Sequence, residues 1–211
     1  MAQTEFVTFF HAPHSRSGGT RALLEELGVD YDLQVLDLKA GTQREPEYLA
    51  INPMGKVPAI RHGKALVTEQ PAVMLYLADL YPEKVLAPTI GDPLRGPYLR
   101  WMVYYGSCFE PAVVDRSQKR EPALRATSPY GTWQEVLDTL SQQLETGPWL
   151  LGERFTAADV LWGTALNWTV GFDLVPDTPL FRAYIDRVMG RPAMQRATQM
   201  DAELAASQQG V

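Results

Sequence analysis

The sequence predicts two units in one chain, a small mixed α/β half followed by an all-helical half. Three observations carry this. Strand and helix patterns alternate over the first eighty or so residues; prolines and a glycine then interrupt every pattern from Pro82 to Pro93; and beyond that break no convincing strand is found. The expected division is residues 1–84 as the α/β unit, 85–92 as a linker and 93–211 as the helical unit.

The elements follow in order. Phe6-Val7-Thr8-Phe9-Phe10 is β-branched and aromatic, hence a strand. His11 to Gly19 (HAPHSRSGG) is rich in turn formers, hence a loop. Ala22, Leu23, Leu24 and Leu27 lie at helical spacing in the next segment, which Gly28 should end. Tyr31 to Leu36 alternates as a second strand, and Pro46 to Ala50 is a short helix at most. Val57-Pro58-Ala59-Ile60 then reads as a strand, Arg61 to Lys64 as its turn and Ala65-Leu66-Val67 as the returning strand. Pro58 is out of place there, since proline cannot donate to the ladder. Thr68-Glu69-Gln70-Pro71 leads into a helix through Leu80, so Glu69 and Gln70 stand beside free backbone N–H groups. In the second half, helices are expected from Asp92-Pro93 to about Ser117, from Ser128-Pro129 to Gly147, and after Thr156-Ala157-Ala158-Asp159, which has the form of a capping box. Two more should start at Thr178-Pro179 and Pro192.

Composition narrows the function classes. The 211 residues are 45% hydrophobic and 21% charged, ordinary for a globular protein. A net charge of −6 argues against nucleic acid as partner, because phosphate binding wants a basic surface. The one cysteine excludes a disulfide framework and a multi-cysteine metal site. Two histidines three apart, His11 and His14, lack the further ligands a metal needs, and with no carboxylate at a fixed spacing they read as polar loop residues rather than a general base. No basic-then-apolar leader and no run of roughly 18 apolar residues is seen, so neither secretion nor a membrane span is expected, and the location is taken as cytoplasmic.

Four local stretches together resemble the cytosolic glutathione transferases: TRALLEELGVDYDL after the first strand, NPMGKVPAI around Pro58, Glu69-Gln70 before an apolar helix, and GERFTAADV in the helical half. The resemblance spans essentially the whole chain. It implies a thioredoxin-like N-terminal domain with an all-helical C-terminal domain, a homodimer, and glutathione as co-substrate with no metal.

Such an enzyme must stabilise a thiolate on glutathione, because only the thiolate is the nucleophile. Members that use a tyrosine carry it near the end of the first strand, where this chain has Phe9 and Phe10; members that use a cysteine carry it in the following loop, whereas Cys108 is far away. That leaves serine. With Gly28 as the fixed point, Ser15 and Ser17 match serines of the zeta class, and Arg16 replaces its cysteine. Ser15 is the favoured thiolate donor and Ser17 the alternative, while capping of the first helix is the competing structural role. The resemblance further implies a cis bond at Val57-Pro58 that lets the Val57 backbone pair with glutathione, Glu69 and Gln70 at its γ-glutamyl end, and contacts from Arg16, Gln43 and Lys56. Tyr104, Tyr105 and Cys108, on the first long helix of the helical half, are candidates for a second-substrate pocket; such a stripe also suits a core. Three readings result. The first is conjugation of glutathione to small hydrophobic electrophiles, the second a glutathione-dependent isomerase or dehalogenase. The third is a non-catalytic binding protein, which Gln70, where most members have serine, keeps open.

Overall fold

The computed structural model describes residues 6–121 and 123–209. In the first half, β1 (Val7–His11), α1 (Ser17–Leu27) and β2 (Tyr31–Val35) form a βαβ unit whose strands are parallel. A 3₁₀ turn (Thr42–Arg44) and α2 (Pro46–Leu49) follow, then the hairpin β3 (Ala59–His62) and β4 (Ala65–Thr68), and α3 (Gln70–Leu80). The sheet order is β2-β1-β3-β4, with β3 antiparallel to both neighbours. Period-2 alternation divides the sheet's faces. Phe10 and Ala59 pack with Tyr48 of α2 on one face, joined by Leu36, Ile51 and Val57. Phe9, wholly buried, lies 5.3 Å ring to ring from His11 on the other. Gly28 ends α1 in the left-handed conformation (φ 61°), its N–H returning to the Leu24 carbonyl, as the sequence predicts.

Three boundaries move. Helix α1 starts at Ser17, not Thr20, because the Ser15 hydroxyl accepts from the Ser17 N–H and supports a first turn that contains Gly18 and Gly19. Val57 and Pro58 stand outside the ladder, and β3 instead runs on through Arg61 and His62 to a two-residue Gly63-Lys64 turn, with Gly63 at φ 57°. His62 earns its place in the strand by a 2.9 Å bond between Nδ1 and the Tyr76 hydroxyl of α3.

The helical half comprises α4 (Arg95–Tyr104), a π turn (Tyr105–Phe109), α5 (Glu110–Ser117), α6 (Trp133–Leu144), α7 (Ala157–Gly171) and α8 (Pro179–Met189). Helix α6 begins five residues after the expected Ser128, at a reciprocal capping box between Thr132 and Glu135. Helix α7 is apolar nearly all round and is the buried centre. Its Trp162 is fully buried among Trp101, Tyr104, Tyr105 and Phe109 and donates from Nε1 to the Trp101 carbonyl at 3.1 Å. Asp159 accepts from the Thr156 and Leu150 backbone N–H groups and from the Thr156 and Tyr184 hydroxyls. Burial pushes its carboxyl pKa up, against the pull of those donors.

The two compact units divide between Lys84 and Val85, and two expectations change. The segment 85–92 is not a free linker but part of the helical unit. Leu86 and Ala87 are buried, the Leu86 carbonyl accepts from Ala157 N, and Asp92 pairs with Arg154 at 2.6 Å. The last helix, α9 (Pro192–Gln209), belongs with the first unit rather than the helical one. It packs along α1, burying Ala193, Met194, Ala197 and Ala205, while Arg196 meets Glu25, Asp201 meets Arg21, and Gln208 donates to the Leu36 carbonyl.

Candidate functional site

Strand register gathers the expected glutathione-binding residues of the first unit. Phe10, Ala59 and Thr68 form one row across β1, β3 and β4. Because β3 is antiparallel to its neighbours, the segments that follow Phe10, precede Ala59 and follow Thr68 all emerge at the same end of the sheet. Parallel β2 delivers the chain toward Gln43 at that end too. Thus the loop 12–16, Lys56-Val57-Pro58 and Glu69-Gln70 share one edge, although some fifty residues separate them in sequence.

The first of these segments ends in the N-terminus of α1. Ser15 is half-buried and its hydroxyl lies at that helix end, where backbone N–H groups and the helix dipole favour negative charge. Its Oγ is 2.7 Å from the Ala12 carbonyl and 2.6 Å from Ser17 Oγ. Ser17, by contrast, has no exposure. Its Oγ accepts from Ala12 N at 3.1 Å and lies 2.8 Å from His11 Nδ1. A ligand sulfur has no open approach to it, so the alternative expectation for Ser17 is not met by this geometry. His11 departs further from its reading as a polar loop residue. It is the last residue of β1, wholly buried, with Nε2 3.2 Å from Asp201 Oδ1 in α9, an ion-pair distance without the alignment of a full hydrogen bond. Arg21, 3% exposed, binds the same Asp201 oxygen at 2.9 Å. Burial would raise the Asp201 pKa, but the neighbouring His11 and Arg21 outweigh it and hold the carboxyl below its ordinary range. Arg16 and His14 are exposed.

The second segment is held from behind. The Val57-Pro58 bond is cis, as the resemblance implies. The Lys56 carbonyl accepts from the Tyr48 hydroxyl at 2.6 Å and from Asn52 Nδ2 at 2.9 Å. Burial pushes the Tyr48 phenol up to about 12, with an opposing pull from Asn52, so it remains a donor at neutral pH. Among the described residues the Val57 backbone N–H and C=O have no hydrogen-bond partner. They are thus available to an extended peptide. Gly55, at φ 59°, lies so close to Gln43 that an added Cβ would meet the Gln43 carbonyl oxygen at 2.8 Å; the Gln43 loop and Lys56 are therefore neighbours. Tyr48 and Asn52 were not singled out from sequence, because their partner is a backbone carbonyl that no side-chain pattern marks.

In the third segment Glu69 is exposed and holds a backbone rare for a non-glycine residue, φ 68° and ψ 115°. Gln70, 8% exposed, starts α3 and donates from Nε2 to the Arg16 carbonyl at 2.8 Å. That bond ties the start of α3 to the loop that carries Ser15 and leads into α1.

Comparison with known proteins decides the family. The model of the glutathione S-transferase N-terminal domain matches residues 5–79 and that of its C-terminal domain residues 130–187, together well over half the chain. The chain belongs to the glutathione transferase family. It is 29% identical to the glutathione S-transferase GstA of Escherichia coli O157:H7, over 89% of this chain and 95% of that one. Among solved structures, a glutathione transferase from Methylococcus capsulatus superposes with a TM-score of 0.79 at 29% identity, covering 93% and 98% of the two chains. A glutathione transferase homologue from Sulfitobacter with bound glutathione superposes at 0.75 and 25% identity, covering 92% and 98%.

The residues of this glutathione transferase expected to line a second-substrate pocket lie in the helical unit. Tyr105 is buried, its hydroxyl donating to Glu110 at 3.1 Å; Tyr104 is half-buried, with its hydroxyl 3.4 Å from the Val136 carbonyl and its ring against Trp101. Cys108 is half-buried. Tyr105 is therefore core, and of the three only Tyr104 and Cys108 keep exposed surface. In the first unit a cavity of about 230 Å³ opens beside the β1–α1 loop, lined in part by Ala12, His14, Lys39 and Gln208, none of which sequence reasoning assigned to a pocket. Among the described residues no cluster of three metal-ligating side chains occurs, and no helix is long and apolar enough to cross a membrane.

Proposed function

We propose that this protein conjugates glutathione to small hydrophobic electrophiles, with Ser15 as the donor that stabilises the thiolate. The carrying observation is the Ser15 hydroxyl, partly exposed at the N-terminus of α1 and on the same sheet edge as the unpaired Val57 backbone. A hydrogen bond to a sulfur anion is worth about 1.5–3 kcal/mol, and the helix end adds to it. Val57 pairs with the cysteinyl backbone of glutathione as an added strand. Glu69 takes the γ-glutamyl ammonium while the start of α3 takes its carboxylate. Lys56 and Gln43 meet the glycyl end, and Arg16 adds positive charge beside the sulfur. Half-exposed Tyr104 and Cys108 contribute to the electrophile's site. The working form is a cytoplasmic homodimer, which sedimentation of the purified protein would test.

Retention on immobilised glutathione, followed by a chloro-dinitrobenzene assay, separates this reading from its competitors. Ser15→Ala should keep retention and lose roughly 10- to 100-fold in kcat/KM, the kinetic equivalent of one charge-assisted hydrogen bond. Retention of the wild type without turnover would sink the transferase reading. An unchanged rate in Ser15→Ala would remove Ser15 from the mechanism.

A further inference from the structure

Behind Ser15 the structure holds a buried chain of polar side chains that the proposed conjugation does not use. Ser15 Oγ is 2.6 Å from Ser17 Oγ; Ser17 Oγ is 2.8 Å from His11 Nδ1; His11 Nε2 is 3.2 Å from Asp201 Oδ1. One end reaches the partly exposed hydroxyl, the other a carboxylate of α9. Ser17 and His11 have no exposure, so no bulk water competes for their protons. Helix α9 packs closely here, for a Cβ added at Gly18 would lie 3.1 Å from Asp201 Oδ2.

Free glutathione reaches the site mostly as the thiol, and its proton must go somewhere before attack. We infer that His11 accepts that proton through Ser17 and Ser15, with Asp201 holding the imidazolium that results. This rests on Ser15 as the thiolate donor. At the start His11 is neutral, with Nε2–H toward Asp201 and Nδ1 accepting from the Ser17 hydroxyl. Both serine hydroxyls also reach the Ala12 carbonyl, Ser15 at 2.7 Å and Ser17 at 3.1 Å, so the relay requires their protons to swing from it, Ser15 toward Ser17 Oγ and Ser17 toward His11 Nδ1, while the thiol donates to Ser15. When the S–H bond breaks, its proton passes to Ser15 Oγ, the Ser15 proton to Ser17 Oγ and the Ser17 proton to His11 Nδ1. The electron pair stays on sulfur. Every hydroxyl has then reversed direction, so Ser15 now donates to the thiolate and Ser17 donates to Ser15. One transfer both removes the proton and aims the stabilising hydrogen bond. The charged groups around His11 fit this end state. Asp201 faces it from α9, and Arg21 of α1 shares that carboxylate and keeps it anionic. The arrangement is that of a base oriented by a carboxylate, with two hydroxyls between base and nucleophile where a serine hydrolase has one that is itself the nucleophile. His11 and Asp201 touch no substrate and act only through the serines.

The test counts protons on the intact protein. Calorimetric titration with glutathione in buffers of different ionisation enthalpy gives the protons released on binding; S-methylglutathione, which has no thiol, supplies the background. Ultraviolet absorbance gives the thiolate formed. With the relay, wild type forms thiolate and releases close to none of the thiol's protons. Release near one proton per thiolate overturns the proposal. His11→Gln should bring release up toward one and raise the pH at which the bound thiol ionises by at least one unit. A count still near zero in His11→Gln places the proton elsewhere and also overturns it. Should His11→Gln not fold, Ser17→Ala, which breaks the chain of hydroxyls and leaves the Arg21–Asp201 pair intact, is expected to shift both readouts in the same direction, and no shift counts against the relay. Failure of the underlying reading looks different, because Ser15→Ala would then leave the thiolate absorbance unchanged.

Discussion

At Glu69 the backbone holds φ 68° and ψ 115°, a conformation that costs a side-chain-bearing residue about 1–3 kcal/mol. No buried contact rewards it, since the side chain is exposed. The twist sits immediately before Gln70, which opens α3 and ties to the Arg16 carbonyl. Glu69→Gly should therefore relieve strain, less the extra chain entropy glycine loses on folding, and leave the thermal midpoint equal or higher, by up to about 1 kcal/mol of stability. The same change should weaken glutathione binding roughly tenfold or more, through loss of one charge-assisted contact. Thermal melting and calorimetric titration of the one variant measure both, and a parallel fall in both would assign Glu69 a structural role. The cis bond at Pro58 was legible through the family resemblance of NPMGKVPAI, and the start of α3 at Gln70 because Pro71 marks a first helical turn locally. His11 was not. Its carboxylate partner lies in the last helix, and a histidine at the end of a strand carries no mark of what a distant helix will bring to it.

Among the elements, helix starts were legible where a capping side chain precedes a proline or an apolar run, as at Thr156 and Thr178. The start of α6 was missed because Ser128-Pro129 is a turn signal, and the true box, Thr132 with Glu135, lies just beyond it. Which of Tyr104, Tyr105 and Cys108 lie together on the α4–α5 segment was not legible, for another reason. Sharing of a face by residues three or four apart assumes α geometry. The π turn Tyr105–Phe109 inserts one residue's worth of rotation, and Tyr105 meets Glu110, five residues on. Packing between α7 and α8 depends on a bare position. A Cβ at Gly163 would lie 2.6 Å from Val188 Cβ. Gly163→Ala should cost about 1–3 kcal/mol as overpacking, despite alanine's better helix propensity. Adding Val188→Ala should recover part of that loss, a coupling that urea denaturation of the four members of the cycle would measure. Simple additivity would mean the two helices can shift apart freely.

At the scale of the whole molecule, the α/β-then-helical order was legible from patterning alone, since periods of 2 and 3.6 change at residue 85 or so. The assignment of α9 was not, because an amphipathic helix states that it covers something but not what. Its buried Met194 and Ala197 and its ion pairs make it a structural part of the first unit. A chain ending at Arg191 should uncover the face of α1 on which α9 packs, exposing Arg21 as well as removing its partner, and should lose roughly 1.5–3 kcal/mol for each large apolar side chain, such as Met194, whose burial is forfeited. Far-ultraviolet circular dichroism with urea should then show the first unit melting early or already unfolded, with the helical unit retained. A single cooperative transition at the wild-type midpoint would refute that role.

The Arg21–Asp201 bond also orders events during synthesis. It joins residues 180 apart, with all of the helical unit between them. Sheet and α1 leave the ribosome first, yet the carboxylate that completes their interior arrives only after the helical unit has been made. Domains are usually completed in the order they emerge. Here the first to emerge is the last to close, and until Asp201 arrives the nascent chain carries a finished sheet edge beside an unfinished interior.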